Sequence, residues 1–171
     1  MNEREALAKL LWDSGVLELR EGDMPLGWNS AAALENAEVR ERLLDALEAL
    51  VRDHYAAAEA VLGGPWAALL AARLALPLNP AELPSRPLVA AEAVAEGEAL
   101  HALAAPLRGE GTGVAIAAIF NYGMESTRRR LDKADVRLHW LTDLETAAAV
   151  ALQEGRVDFE TYDRLLEFTE R

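Results

Sequence analysis

Three glutamates, Glu92, Glu96 and Glu98, follow the apolar run Leu88 to Ala91 and surround Gly97. Carboxylates grouped in this way could gather around a hard cation, which takes oxygen ligands. The simpler reading is three solvated acids on a loop. A second turn, Gly63-Gly64-Pro65, follows Ala60-Val61-Leu62 and puts proline at the first position of an expected helix. Trp66 comes directly after it, with no hydroxyl or lysine nearby, so a structural helix start is favoured there. His54, His101 and His139 are scattered, and none pairs with a Ser or Asp at relay spacing. Ser14, Ser30, Ser85 and Ser126 lie in no nucleophile-elbow context. The chain has no cysteine, which excludes disulfides, thiolate metal sites and a cysteine nucleophile. These residues assign no catalytic group and no metal ligand set.

The elements that must position them alternate. Ala6, Leu7, Leu10 and Leu11 recur at helical spacing from Glu3 to Ser14, and Gly15 supplies the stop. Val16 to Leu19 reads as a short strand, and residues 20–35 as an irregular connection. Asn36 caps a helix whose buried stripe is Val39, Leu43, Leu44, Leu47, Leu50 and Val51. A strand at 60–62, a helix from Pro65 through Leu76 and a Pro-rich connector from Pro77 to Pro87 come next. Leu88 to Ala91 reads as a strand, and a helix is expected around Glu98 to Leu107. Gly109, Gly111 and Gly113 then lead into Val114 to Phe120, an unbroken apolar run typical of a strand covered on both faces. A helix from Glu125 to Lys133, a strand from Val136 to Leu141, a capping box at Thr142-Asp143-Leu144-Glu145 and a last helix from Asp158 complete the order. Strands and helices joined by connections too long for hairpins predict an α/β fold with a mainly parallel sheet flanked by helices. Ligands of such sheets sit beyond the carboxyl ends of the strands, here after Leu62, Ala91, Phe120 and Leu141.

Composition narrows the function classes. The chain has 171 residues, 51% of them hydrophobic and 27% charged, as expected of one globular domain. Seventeen basic residues against twenty-nine acidic ones give a net charge of −12. That balance repels nucleic acid and anionic lipid, and Arg128-Arg129-Arg130 reads as a solvated helix face between acids. The amino terminus is charged and leads into an amphipathic helix, and the longest apolar run is far short of a membrane span. The expectation is a cytoplasmic protein with neither nucleic acid nor membrane as partner.

Several segments resemble the orotate phosphoribosyltransferase family. Ile116 to Gly123 is similar to the family's strand ending in Ile-Phe-Thr-Tyr. Leu131-Asp132-Lys133-Ala134-Asp135-Val136, then Leu141-Thr142-Asp143-Leu144-Glu145, then the stretch from Val150 to Phe168 follow in the family's order. Leu10 to Leu17 resembles its opening helix and the strand beyond. The likeness covers most of the chain. It implies a type I phosphoribosyltransferase fold over residues 1–171, with 1–35 and the C-terminal part forming a reduced hood. It also implies a dimer, and transfer of ribose 5-phosphate from phosphoribosyl pyrophosphate to orotate with Mg²⁺.

The departures fall where that chemistry is done. Glu92 matches the first of two adjacent acids in the family, and Ala93 stands where the second should be, removing a contact to the ribose hydroxyls. Glu96, Gly97 and Glu98 occupy the turn that cups the 5-phosphate. Gly63 and Gly64 match the pyrophosphate-contacting turn. A phosphate needs hydrogen-bond donors, and a carboxylate about 4 Å away costs about 4 kcal/mol at an effective dielectric near 20. That is roughly a thousandfold in affinity, against about 1 kcal/mol returned by a helix dipole. The Lys- and Gly-rich mobile loop has no counterpart, since only residues 78–86 bridge the two strands. The expectation is a relative with the donor site lost, needing no cofactor. It would act as a binding or regulatory protein linked to pyrimidine nucleotide metabolism, as a homodimer or paired with an active paralogue. A small-molecule base is a candidate ligand, and Trp28 borders the place where orotate would lie. The rival is an active, Mg²⁺-dependent transferase with a rebuilt pocket.

Overall fold

Every residue of the strand Ala115–Asn121 is buried, and the rest of the architecture follows from how its two faces are covered. The computed structural model describes residues 1–95 and 114–171. The helix expected around 98–107, the glycines at 109, 111 and 113, and Glu96, Gly97, Glu98 and His101 lie outside these residues.

The chain opens with α1 (Glu3–Asp13), capped by Asn2 and Glu5 in a reciprocal box. β1 (Leu17–Leu19) and β2 (Leu26–Trp28) pair antiparallel, and α2 (Ser30–Glu35) follows directly, with Asn29 accepting the Ala32 N–H. Residues 20–35 were expected to be irregular. Instead, Gly27 leaves room for the Arg20 side chain to cross the hairpin, and Asn29 starts a helix that its neighbouring alanines sustain. α3 (Ala37–His54) begins at the expected Asn36 cap and buries Val39, Leu43, Leu44, Leu47 and Val51.

A four-stranded sheet comprises β3 (Ala60–Leu62), β4 (Pro87–Val94), β5 (Ala115–Asn121) and β6 (Arg137–Asp143), all parallel and in chain order. α4 (Pro65–Leu74) connects β3 to β4, and α5 (Glu125–Lys133) connects β5 to β6. α4 ends two residues before the expected Leu76, because Ala75 takes a left-handed conformation that closes the helix. α6 (Leu144–Gln153), α7 (Phe159–Glu167) and a 3₁₀ turn (Phe168–Glu170) complete the chain. The capping box expected at Thr142 does not form. Asp143 is the cap and accepts the Thr146 N–H, while Thr142 remains in β6 and donates to the Arg4 carbonyl.

The two faces of β5 contribute to different cores. Ala115, Ala117 and Ile119 join the large cluster built with α1, α3, α4 and α6. Ile116 and Ala118 join Val89, Val94, Leu131, Ala134 and Val136 on the other side. Strand order and helix placement therefore leave the carboxyl ends of the strands for a site, as in parallel sheets generally. Among the described residues, no helix is long and apolar enough to cross a membrane.

Candidate functional site

At the carboxyl end of β4, Glu92 meets the start of α4 and the hairpin. β4 runs three residues beyond the expected end at Ala91, so Glu92 lies inside a paired strand and not on the loop after it. The pairing of Ala91 with Ala118 and of Ala93 with Phe120 fixes its direction. Its carboxylate accepts the Ser30 hydroxyl, whose Oγ is 2.7 Å from both oxygens, and the Trp66 indole N–H, which donates to Oε1. Trp66 is almost completely buried in the first turn of α4, so this donor is fixed by packing.

The glycine turn is engaged in the same way. Gly63 donates its N–H to Asn79 Oδ1 at 3.0 Å, and Asn79 Nδ2 donates to the Gly63 carbonyl at 2.9 Å. Gly63 has φ +135°, and a Cβ built there would lie 2.8 Å from the Ala90 carbonyl oxygen. Its glycine is thus demanded by the approach of β4. Gly64 has open space around it and begins α4 without a side-chain cap.

The connector that holds Asn79 is itself tied down. Val61 donates to the Pro77 carbonyl and Asn79 donates to the Val61 carbonyl, so Leu78 forms a parallel bridge along the outer edge of β3. At the other end, Glu59 accepts from Arg86 and from Ser85, and its own N–H donates to the Arg86 carbonyl. The segment caps a sheet edge.

These residues border a cleft of about 370 Å³ lined by Trp28, Gly64, Pro65, Trp66, Ala90, Glu92 and Ala93. Glu92 is the only charged group in that lining among the described residues. Ala93 provides a methyl group where the resemblance places an acid. Trp28 packs its ring 5.8 Å from Phe120, and its indole nitrogen is buried with no hydrogen-bond partner. Magnesium, which the resemblance implies for an active transferase, would meet one carboxylate that is already twice hydrogen-bonded. No group of three or more carboxylates or imidazoles able to hold an ion lies among the described residues. The described residues do not fit a protein-held Mg²⁺ site.

Thus Glu92, Ala93 and Gly64 come together with Trp28, with Gly63 beside them, whereas Glu96, Gly97 and Glu98 lie outside the described residues. Three further residues, Ser30, Trp66 and Asn79, take part in the site through contacts that only the fold creates. Ser30 and Trp66 become donors only once the strand brings Glu92 to them. Asn79 left one signal, an asparagine before a proline in a connector, which favours turn conformations. The histidines also meet: His54 and His139 stack at 3.9 Å between ring centroids, and the Tyr55 hydroxyl lies 2.5 Å from His139 Nδ1. This cluster adjoins a separate concavity at the amino ends of the strands, lined by Tyr55, Arg86, Pro87, Ala115 and Arg137. A further, mostly apolar concavity of about 390 Å³ lies between α5 and β6, around Met124, Leu131, Leu138 and Trp140.

A sequential parallel sheet with helices on both sides and a cleft at its carboxyl ends is the type I phosphoribosyltransferase fold. The crystal structure of orotate phosphoribosyltransferase from Aeropyrum pernix matches with a TM-score of 0.75 at 23% identity, over 87% of this chain and 99% of that one. Leishmania donovani UMP synthase matches with a TM-score of 0.77 at 13% identity, over 98% of this chain and 42% of that one. By sequence, the orotate phosphoribosyltransferase of Bacillus subtilis is 25% identical over 177 residues, covering 90% of this chain and 79% of that protein. That of Halalkalibacterium halodurans is 25% identical over 200 residues, covering 98% and 95%. No protein-family model matches the chain. In sequence and in fold, the chain is thus similar to orotate phosphoribosyltransferases over most of its length.

Proposed function

We propose that this chain keeps the family's fold but no longer binds phosphoribosyl pyrophosphate or transfers ribose 5-phosphate, and that it acts as a binding or regulatory protein in pyrimidine nucleotide metabolism. One observation carries this reading: the groups at the donor-site positions are engaged by the chain's own side chains. Glu92, at the position of the ribose-contacting acid, accepts from Ser30 and Trp66. Gly63, at the position of the pyrophosphate turn, has its N–H and its carbonyl both bonded to Asn79. A phosphate oxygen arriving there would have to replace a hydrogen bond already made, and its negative charge would face Glu92. Catalysis of this kind depends on preorganised donors and cations around developing charge. The cleft lining offers none among the described residues apart from backbone and indole N–H groups.

The binding role extends to a partner protein, either a second copy, since the resemblance implies a dimer, or an active paralogue. The test is calorimetric titration of the full chain with phosphoribosyl pyrophosphate and Mg²⁺, alongside an assay for orotidine 5′-monophosphate formation. The expected result is no saturable heat and no product. Turnover that tracks the protein through purification would overturn the proposal.

A further inference from the structure

At the amino ends of the strands, opposite the Glu92 cleft, charges of both signs line one concavity without pairing across it. We propose that this concavity binds a small neutral α-amino acid as its zwitterion, with the carboxylate on Arg137 and the ammonium towards Asp53. Neither the site nor its guest depends on whether phosphoribosyl pyrophosphate binds at the other end of the sheet.

The concavity has a volume of about 330 Å³, at the lower end of small-ligand sites, and Asp53, Tyr55, Arg86 and Arg137 are in its lining. Arg137, the first residue of β6, has no ion pair and no side-chain hydrogen bond among the described residues. Its guanidinium lies over the Tyr55 ring, 5.6 Å from the centroid. Tyr55 is buried, with its hydroxyl 3.2 Å from the Ile116 carbonyl oxygen, so the platform under the guanidinium is fixed. A guanidinium held by its face keeps its N–H edge for a carboxylate, which it can grip through two parallel hydrogen bonds. Arg86 is anchored through Nε to Glu59 at 2.7 Å, and its terminal nitrogens have no partner among the described residues. Both arginines therefore keep donors for a guest.

The opposite charge comes from the end of α3. Asp53 likewise has no ion pair and no hydrogen bond among the described residues. Beside it, the Tyr55 N–H donates to the Val51 carbonyl, while the carbonyls of Arg52, Asp53 and His54 accept no N–H from the described backbone. They form the negative end of the helix dipole, roughly half a unit charge. A plain anion between the arginines would meet Asp53 and this helix end, and a plain cation would meet two guanidiniums. A guest that carries both charges close together satisfies the whole lining, and the α-amino and α-carboxyl groups of an amino acid do so. His54 also borders the space, but its ring is stacked on His139. The remaining lining, Ala56, Ala57, Ala58, Pro87 and Ala115, is small and apolar, which suits a short aliphatic side chain and offers nothing to a third charge.

Titration of the ¹⁵N-labelled full chain with glycine, L-alanine and L-valine tests this, with propionate and ethylamine as single-charge probes. The Ala57 and Ala58 amides report on the concavity, and the Gly63 amide reports on the far end of the sheet. At least one amino acid should move the Ala57 and Ala58 signals saturably and leave Gly63 in place, with propionate and ethylamine each at least about tenfold weaker. Arg137→Gln should weaken that amino acid about tenfold. Asp53→Asn, at an exposed residue whose loss breaks no contact in the fold, should weaken it about threefold. No saturable movement with any of the three amino acids, a single-charge probe binding as tightly as they do, or an unchanged affinity in a folded Arg137→Gln would each overturn the proposal.

Discussion

Gly63 and Gly64 are neighbours in sequence, and the structure assigns them opposite tolerances to a side chain. Gly63→Ala puts a Cβ 2.8 Å from the Ala90 carbonyl oxygen, a backbone atom of β4 that cannot swing away. It also forces an L-residue to φ +135°, a region that costs about 1 to 3 kcal/mol for anything but glycine. Moving β4 aside adds about 1 to 3 kcal/mol of overpacking. The sum is about 4 kcal/mol, a large part of the 5 to 15 kcal/mol by which domains are typically stable. Gly64→Ala meets nothing within 4 Å and has a negative φ, so its cost should stay below about 1 kcal/mol. Urea denaturation followed by circular dichroism measures both. At about 2 to 4 °C per kcal/mol, Gly63→Ala should also melt roughly 8 to 16 °C lower. Equal stabilities for the two variants would refute the argument that the turn is shaped by β4.

Other perturbations have defined outcomes. Burial holds the His139 imidazole below its ordinary pKa of 6.5, aided by His54 and Arg137. Its folded pKa is depressed, so the stability from keeping it neutral is complete above about pH 6.5 and lost as pH falls through the folded value. His139→Gln should flatten that part of a stability–pH curve measured by urea denaturation. Burial pushes the Tyr122 hydroxyl up to about 12, with Arg20 opposing, and the hydroxyl donates to the Leu26 carbonyl at 2.9 Å. Because this pKa is raised, the contribution is complete below about pH 10 and disappears as pH rises through about 12, and Tyr122→Phe should remove this alkaline loss at a cost of about 1 kcal/mol at neutral pH. Ile116→Ala, in the fully buried β5, should cost about 2 to 5 kcal/mol by thermal denaturation.

Much of the scaffold was legible because local signals and the global fold agree. Asn36, Pro65 and Gly15 mark helix ends with side chains or conformations that the backbone needs there, and the unbroken run to Phe120 announces a strand covered on both faces. The hairpin was hidden because three-residue strands carry too little alternation to register, and Gly27 weakens the pattern further. Thr142 misled because its spacing to Glu145 imitates a capping box, while pairing with β5 keeps Thr142 in the strand. The site was legible in its residue types but not in its bonds. Glu92 stood out as an acid after an apolar run, yet its partners Ser30 and Trp66 are 62 and 26 residues away in sequence. Two histidines 85 positions apart in sequence likewise cannot announce that their rings stack, since only the register of β6 beside α3 brings them together.

Glu92 and Gly63 are already bonded within the chain, to Ser30 and Trp66 and to Asn79 respectively, and the proposed loss of phosphoribosyl pyrophosphate binding turns on those bonds. The most direct measurement is a titration of ¹⁵N-labelled protein with phosphoribosyl pyrophosphate and Mg²⁺, following the Gly63 amide and the Trp66 indole N–H. The account predicts that both signals stay in place across the titration. Saturable movement of the two together, as the ligand displaces Asn79 and reaches Glu92, would contradict it.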